Sequence, residues 1–435
     1  MRGAFAEVWA FVWLPLILFF ADKLRRGERF SAAGLAVSYA LLIVSHLPTA
    51  LIFSPVPILY VIGLAERGNK MRATIKAAGA MILGIGLSAT YLLPALALRE
   101  FVSMQEMSKP EINFENWFVL TSVLARGFSA YLSRIVLSMA AVAGGAYFIA
   151  RRNQSEAVGR ECGFWAAVAA GTILMMTPLS KPLWKLLPVL QNVQFPFRFN
   201  TVLCVATASL IAPALASFKP TASFRSAAFP NLLALSALVW ILVLPLAAWR
   251  EYKVHPVTRA GYRALIDNNQ DAPEYRPRWA ERDVFYALLG ELRQAKRLEQ
   301  VSVVEGSAEV AVENWTPRSV SLRVNSHAGA VLRVGQLFFP GWRVRTEDGR
   351  ELKPQPANTT ELLEFAMPAG SQRLRIKLSA GVAERGGQIV SAISLLSLIG
   401  AAYWIGTRSP SNVSGGKYLR FRYAFISAAN SRRLW

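Results

Sequence analysis

The chain has 435 residues, of which 53% are hydrophobic and only 17% are charged, whereas a soluble domain carries about 25% charged residues. This composition excludes an ordinary soluble protein, and the two cysteines exclude both a disulfide framework and a cysteine-based metal site. The net charge of +21 is concentrated in the segments between apolar runs. That placement indicates membrane topology and leaves no basic stripe for a phosphate backbone, so we expect no nucleic-acid partner.

Nine apolar runs predict membrane-spanning helices, because a span needs roughly 20 mostly apolar residues. The runs cover residues 8–21, 31–45, 49–64, 76–97, 132–150, 163–179, 199–217, 230–248 and 387–406. The first eight form a predicted bundle over 1–248, and the ninth precedes a basic tail at 407–435. The fold class is therefore a mostly α, polytopic membrane helix bundle.

Basic residues on both sides of residues 31–64 predict how that segment folds. The flanking loops contain Lys23, Arg25, Arg26 and Arg29 on one side, and Arg67, Lys70, Arg72 and Lys76 on the other. Because Lys and Arg are enriched in cytoplasmic loops, both loops belong inside. The segment then makes two passes or a re-entrant hairpin, and this parity places the N-terminus and residues 249–386 outside and the C-terminus inside.

Residues 249–386 read as a water-facing domain. Its first part, 249–300, is predicted to be helical or irregular. Four later stretches alternate apolar and polar residues with a period of two, at 308–312, 319–324, 331–334 and 374–378. Turn residues at 348–349 and 368–370 separate such stretches, which favours an antiparallel β-sandwich. The aromatic FFPGW segment at 338–342 either closes the edge of this sandwich or stacks on sugar rings.

The motifs of soluble enzymes are missing: the chain has no P-loop, no dinucleotide-binding turn, no HExxH and no nucleophile elbow. The three histidines, His46, His255 and His327, are far apart in sequence. We therefore expect neither a metal site nor a cofactor.

Ionisable residues at the predicted outer ends of spans are the remaining candidates, because such groups are costly near a membrane. His46 either acts chemically or caps its turn. Arg2 and Glu7 flank the first run, as a ligand site or as an interfacial salt bridge. Arg198 suits a phosphate group or serves as an interfacial anchor. Glu100, at the end of the fourth run, is a candidate acid or base.

The loop before the seventh run has a distinct pattern. Its SKPLWKLLP sequence at 180–188 contains two lysines and a tryptophan among apolar residues. This composition is typical of a short helix that lies in the membrane interface.

Six short segments carry a resemblance to a known group of proteins. They are RGAFAE at 2–7, SHLP at 45–48, YLLPA at 91–95, QFPFR at 194–198, EYRP at 274–277 and FPGW at 339–342. In order and spacing they resemble segments of large bacterial membrane proteins labelled 6-pyruvoyl-tetrahydropterin-synthase-related and of the YfhO-like group. Those proteins are similar to GT-C glycosyltransferases.

The resemblance implies a function in the bacterial cytoplasmic membrane. It implies transfer of a sugar from a polyprenyl-phosphate donor to an envelope glycan or protein acceptor at the outer face. Arg198 would hold the lipid phosphate with His46 and Arg2, and Glu7 would orient one of them. In that fold the usual base lies in the first outer loop, so the chain is expected to correspond to the later two-thirds of such a protein. Two alternatives stay open: a non-catalytic transporter or assembly partner for lipid-linked sugars, and a membrane-anchored sugar-binding module.

Overall fold

The computed structural model describes residues 5–103, 113–121, 127–152, 155–217, 277–279, 300–358 and 360–407. These residues form a mostly helical structure with an antiparallel β domain near the C-terminus. The predicted run at 230–248 and the side chain of Arg2 lie outside the described residues. So do the basic tail and nearly all of the segment 249–300.

Helices occupy the positions of the other eight predicted runs. The described α-helices are α1 (Phe5–Arg25), α2 (Ser31–Ser45), α3 (Leu47–Phe53), α4 (Pro55–Leu64), α5 (Lys70–Leu87), α6 (Ala89–Ala97), α7 (Phe128–Arg152), α8 (Glu156–Met176), α9 (Lys181–Leu186), α10 (Pro188–Gln191), α11 (Asn200–Ala216) and α12 (Val382–Thr407). Of these, α9 and α10 lie between the predicted runs 163–179 and 199–217. Within the described ranges, four helical stretches are long and apolar enough to cross a membrane, and six are if each of two bent pairs counts as one. The four are Leu47–Leu64, Phe128–Arg151, Pro196–Ala216 and Val382–Thr407.

The segment 31–64 reverses its direction and brings its two basic flanks together, which fits both the two passes and the re-entrant hairpin that the charges predict. The Arg25 guanidinium donates a hydrogen bond to the Leu64 carbonyl at 3.4 Å, and the Asn69 amide donates to the Arg25 carbonyl at 3.3 Å. The two basic loops therefore lie side by side at one end of the bundle. The chain reverses at His46. Its extended backbone ends α2, and its side chain caps the first turn of α3.

The predicted run 76–97 is not one straight helix, which corrects the sequence interpretation. It breaks at Ser88, and the helices on either side are bent by 71°. A break leaves backbone groups without helical partners. The Ser391 hydroxyl of α12 lies 3.2 Å from the Gly86 carbonyl and 3.0 Å from the Leu87 carbonyl, and it accepts a hydrogen bond from the Thr90 N–H at 2.9 Å. One side chain thus serves both sides of the break.

The β domain consists of two antiparallel sheets. Its strands are β1 (Val301–Gly306), β2 (Glu309–Thr316), β3 (Ser319–Ser326), β4 (Ala330–Leu337), β5 (Trp342–Thr346), β6 (Glu351–Leu352), β7 (Gln355–Pro356), β8 (Leu362–Met367) and β9 (Gly370–Leu378). The strand order is β1-β4-β8-β7 in the four-stranded sheet and β2-β3-β9-β5-β6 in the five-stranded sheet. Alternate residues such as Val320, Leu322 and Leu374 are fully buried and belong to one hydrophobic core that both sheets share. All four predicted strands are confirmed.

The FFPGW segment connects the β domain to the helical part. Trp342 packs into the β-domain core. The Phe339 ring lies 5.7 Å from the Phe101 ring, and the Phe338 ring lies 6.0 Å from the Trp279 ring, between ring centroids. Arg278 N–H donates to the Phe101 carbonyl at 3.0 Å. These contacts favour the structural interpretation of the segment, because its rings pack against aromatic neighbours of their own chain.

Candidate functional site

Arg198 lies in a short 3-10 helix, Pro196–Phe199, that leads into α11. The preceding chain turns sharply at Gln194, whose φ of 67° is in the left-handed region that non-glycine residues rarely adopt. This turn allows Arg198 Nη1 to donate to the Val193 carbonyl at 2.6 Å. The guanidinium carbon also lies 5.0 Å from the centre of the Phe195 ring, within cation–π range.

The Arg198 guanidinium still has donors to offer. It is half-buried, and besides Val193 it only approaches the Gln194 side-chain oxygen, at 3.5 Å. Its Nε and Nη2 make no hydrogen bond to any residue in the described part of the chain. A partly desolvated guanidinium with a free edge is suited to bind an anion with two oxygens in the plane of the fork.

His46 lies at the junction of α2 and α3 and caps α3. Its Nδ1 accepts a hydrogen bond from the Thr49 N–H at 3.3 Å and lies 2.7 Å from the Thr49 hydroxyl. Because Nδ1 accepts, the neutral ring carries its proton on Nε2, which can donate to a ligand. Burial, and next the charge of Arg198, lowers the pKa of His46 to about 4. The ring is therefore neutral at pH 7, and the capping role proposed for it is confirmed.

The structure brings Glu7 into this group as well. Glu7 is half-buried near the start of α1, and its charge acts on the Arg198 guanidinium. The Trp13 indole of the same helix donates to the Ser45 hydroxyl at 2.8 Å, which fixes α1 beside the His46 turn. Three of the five candidates, Arg198, His46 and Glu7, therefore lie at one end of the bundle, near enough for their charges to act on one another, but no hydrogen bond or ion pair joins them within the described residues.

Glu100 does not join them. It is exposed in the 3-10 turn Leu98–Phe101, beyond the α5–α6 break. It forms no hydrogen bond or ion pair with another described residue. The side chain of Arg2, the fifth candidate, lies outside the described residues.

An aromatic cluster beside Arg198 was not expected from the sequence. The Trp117 ring packs edge-on against Phe195 at 5.4 Å and Phe197 at 5.9 Å, and those two rings stack on each other at 5.2 Å. Trp117 comes from a loop that is far away in sequence, so the sequence pointed only to the QFPFR residues of the cluster. The cluster forms an apolar wall next to the guanidinium.

The loop segment at 180–188 forms the short helix α9, but its tryptophan is not an exposed interfacial side chain. Trp184 is 0% exposed, stacks on Phe114 at 5.4 Å and donates to the Met175 carbonyl at 3.1 Å. The two lysines of α9 bind the Glu115 carboxylate instead of standing free. Their hydrogen bonds lower the pKa of Glu115.

Comparison with known proteins gives no relative: no protein-family model, curated protein or solved structure matches the chain. Within the described residues, no three His, Cys, Asp or Glu side chains are grouped so that they could hold a metal ion. The GT-C-like resemblance stays a prediction, and the group around Arg198 is the candidate site.

Proposed function

We propose that this chain is a polytopic protein of the bacterial cytoplasmic membrane that binds a polyprenyl-phosphate-linked sugar at Arg198. In this proposal it has about nine spans arranged as in GT-C glycosyltransferases, and its β domain is an outer β-sandwich. Its activity is transfer of the sugar to an envelope glycan or protein acceptor. The observation that carries the proposal is the half-buried Arg198 guanidinium, which has donors unused by the described residues and lies at the end of the bundle where His46 also lies.

The position of the site along α1 supports an outer location. Glu7 is near the start of α1 and Arg25 is its last residue. At 1.5 Å per residue these two positions are about 27 Å apart, close to the thickness of a bilayer hydrocarbon core. Arg25 lies between the two adjacent basic loops, which the positive-inside rule assigns to the cytoplasm. The Arg198 group is then at the opposite, outer surface.

The chemistry of the group suits a lipid phosphate. Arginine binds phosphate through two parallel hydrogen bonds, and a neutral imidazole adds one further donor without a second full charge. During sugar transfer, negative charge develops on the leaving lipid phosphate, and donors that are already oriented stabilise it. Glu7 orients Arg198 in this arrangement, and the Phe195–Trp117 wall accommodates apolar parts of the ligand. We assign no catalytic role to Glu100, because it shares no contact with this group.

The test compares Arg198→Gln with Arg99→Gln in the purified full chain. Arg99 is also at the end of a helical segment, but it is exposed and makes no contact with the Arg198 group. Removing a charge-assisted contact costs about 1.5–3 kcal/mol, so Arg198→Gln should weaken polyprenyl-phosphate binding roughly 10- to 150-fold. Arg99→Gln should leave it unchanged.

A second measurement follows transfer of a labelled sugar from the polyprenyl-phosphate donor. Transfer that depends on Arg198 supports the enzyme, whereas binding without transfer supports the non-catalytic transporter or assembly partner. Equal binding by parent and Arg198→Gln would show that the phosphate lies elsewhere.

A further inference from the structure

The outward face of the five-stranded sheet places cations opposite cations. Arg343 on β5 is directly opposite Lys377 on β9, and Arg345 is opposite Arg375. On the other side of β9, Arg373 is opposite Arg323 of β3. Like charges directly opposite each other in a sheet are destabilising. Each such pair needs an anion to offset its repulsion, either a carboxylate of the chain or a ligand.

Carboxylates neutralise only part of this face. Glu313 binds Arg323 and Arg373, and Glu351 binds Arg343 and Arg345. The side chains of Arg375 and Lys377 on this face, and of Arg385 in the first turn of α12, form no ion pair or hydrogen bond with another described residue. An external anion would form its most favourable ion pairs with these three side chains.

The same side chains line a cleft of about 850 Å³. One end of the cleft is formed by residues 379–380 and Arg385, where β9 leads into α12. Glu313 and Glu347 line the other end, because Glu313 binds Arg373 and Glu347 follows Thr346, which is opposite Leu374. With about 3.3 Å per residue along a strand, Lys377 and Arg373 are separated by roughly 13 Å. The cleft is therefore basic at the α12 end and contains its carboxylates at the far end.

The basic end is held close to the apolar part of α12. Arg318 forms a 3.0 Å ion pair with Glu384 in the first turn of that helix, and its carbonyl accepts from the Leu378 N–H at 2.9 Å. After the exposed Val382 in the first turn, a continuous series of large exposed apolar side chains starts at Ile389, one turn after Arg385 or about 6 Å along the axis. The cleft thus opens beside the point where α12 becomes suited to lipid.

We propose that this cleft binds the phosphate headgroup of an anionic phospholipid from the adjacent leaflet. The inference rests on the proposed membrane span of α12, which puts Arg385 and Lys377 at headgroup level. Guanidinium groups bind phosphate oxygens in pairs. A long acidic glycan or a nucleic acid fits less well, because a polyanion that followed the strands would meet Glu313 and Glu347. The bound headgroup fixes the β domain against the membrane surface.

The test measures binding of dihexanoyl phosphatidylglycerol and dihexanoyl phosphatidylcholine to the full chain in a zwitterionic detergent. The variant is Arg375→Gln with Lys377→Gln, and the matched control is Arg350→Gln with Lys353→Gln. The control removes two exposed cations of the same domain that do not line the cleft. We expect the cleft variant to bind phosphatidylglycerol about 30-fold more weakly, from about a factor of five for each cation near a lipid surface. The control should change binding less than threefold.

The stability of the variant provides a second readout. Without anionic lipid, the cleft variant should melt at the same temperature as the parent or higher, because it loses like-charge pairs. Four results would overturn the proposal: an equal loss in both double variants, equal binding of the two lipids, free glycerol phosphate binding as tightly as phosphatidylglycerol, or an acidic oligosaccharide that binds the cleft more tightly than the lipid.

Two further measurements separate this proposal from the proposed function. Arg198→Gln should leave phosphatidylglycerol binding unchanged, since it removes a group at another site. A chain that is released from vesicles by alkaline carbonate would disprove the membrane placement and both proposals with it. A chain that stays in the vesicles but shows no effect of the cleft variant would disprove the headgroup site alone.

Discussion

Replacing Ser391 by alanine tests how the bent break between α5 and α6 is stabilised. The Ser391 hydroxyl approaches two carbonyls of α5 at 3.2 and 3.0 Å and accepts from the Thr90 N–H of α6 at 2.9 Å. It has one proton, so the two carbonyls share it, and the side chain contributes about two hydrogen bonds. Alanine removes both and leaves helix-terminal groups without a partner.

The expected cost follows from these two bonds. A typical net contribution of about 1 kcal/mol each gives a loss of about 2 kcal/mol in the free energy of unfolding. Hydrogen bonds between membrane helices average about 0.6 kcal/mol each, which sets a lower limit near 1.2 kcal/mol. For a chain of this size we expect the melting temperature to fall by about 2 °C.

The assay is thermal unfolding of the full chain in detergent, followed with a thiol-reactive dye. Cys162 is buried and Cys204 is partly buried, so both thiols become accessible on unfolding. Ser397→Ala is the matched control, since Ser397 is exposed on the same helix. A melting temperature for Ser391→Ala equal to that of Ser397→Ala would refute the argument that this hydroxyl stabilises the break.

Two further predictions concern α9. Trp184→Ala should destabilise the chain by about 3–5 kcal/mol, because it empties a fully buried site, whereas the exposed Trp404→Ala should change the melting temperature little. Glu115→Gln should lower the melting temperature at pH 7 by removing the partner of Lys181 and Lys185. Because those lysines lower the pKa of Glu115, its contribution is complete above the ordinary glutamate pKa of about 4.3 and is lost as the pH falls through the lowered value. The difference between parent and variant should therefore disappear in acid; a constant difference across the pH range would contradict this assignment.

The sequence predicted those parts of the fold whose pattern is local. The period of two at 319–324 predicts β3 because that strand buries only alternate side chains. Strand β8 was not predicted, since consecutive Leu362 and Leu363 are both buried beside an irregularity in its pairing with β4. Continuous burial removes the alternation that identifies a strand. The α5–α6 break was missed for a related reason: the residue that satisfies it, Ser391, is about 300 positions away.

Two residues of the candidate site could be predicted because each stands in a short, recognisable sequence motif. The SHLP and QFPFR segments led to His46 and Arg198, and the structure places both in one group with Glu7. Glu100 was proposed only because it is an acid at the end of an apolar run. Such a position does not show the direction of the helix that follows, and here the α5–α6 break leads Glu100 away from Arg198. The alternation at 374–378 places Arg375 and Lys377 on one face of a strand, but it could not show that Arg343 and Arg345 lie opposite them, because β5 and β9 become neighbours only through the sheet order.

The turn at Gln194 explains how the Arg198 guanidinium is held in one orientation. A non-glycine residue in the left-handed region costs about 1–3 kcal/mol and persists only where the surroundings hold it. Here the surroundings are the fully buried Val193 and the stacked rings of Phe195 and Phe197. The turn directs the Val193 carbonyl at Nη1 of Arg198, which fixes one side of the guanidinium and leaves the other side open. The packing energy of the aromatic cluster therefore offsets the strain, and the result is a guanidinium that its own chain holds in place, as the proposed binding of a phosphate requires.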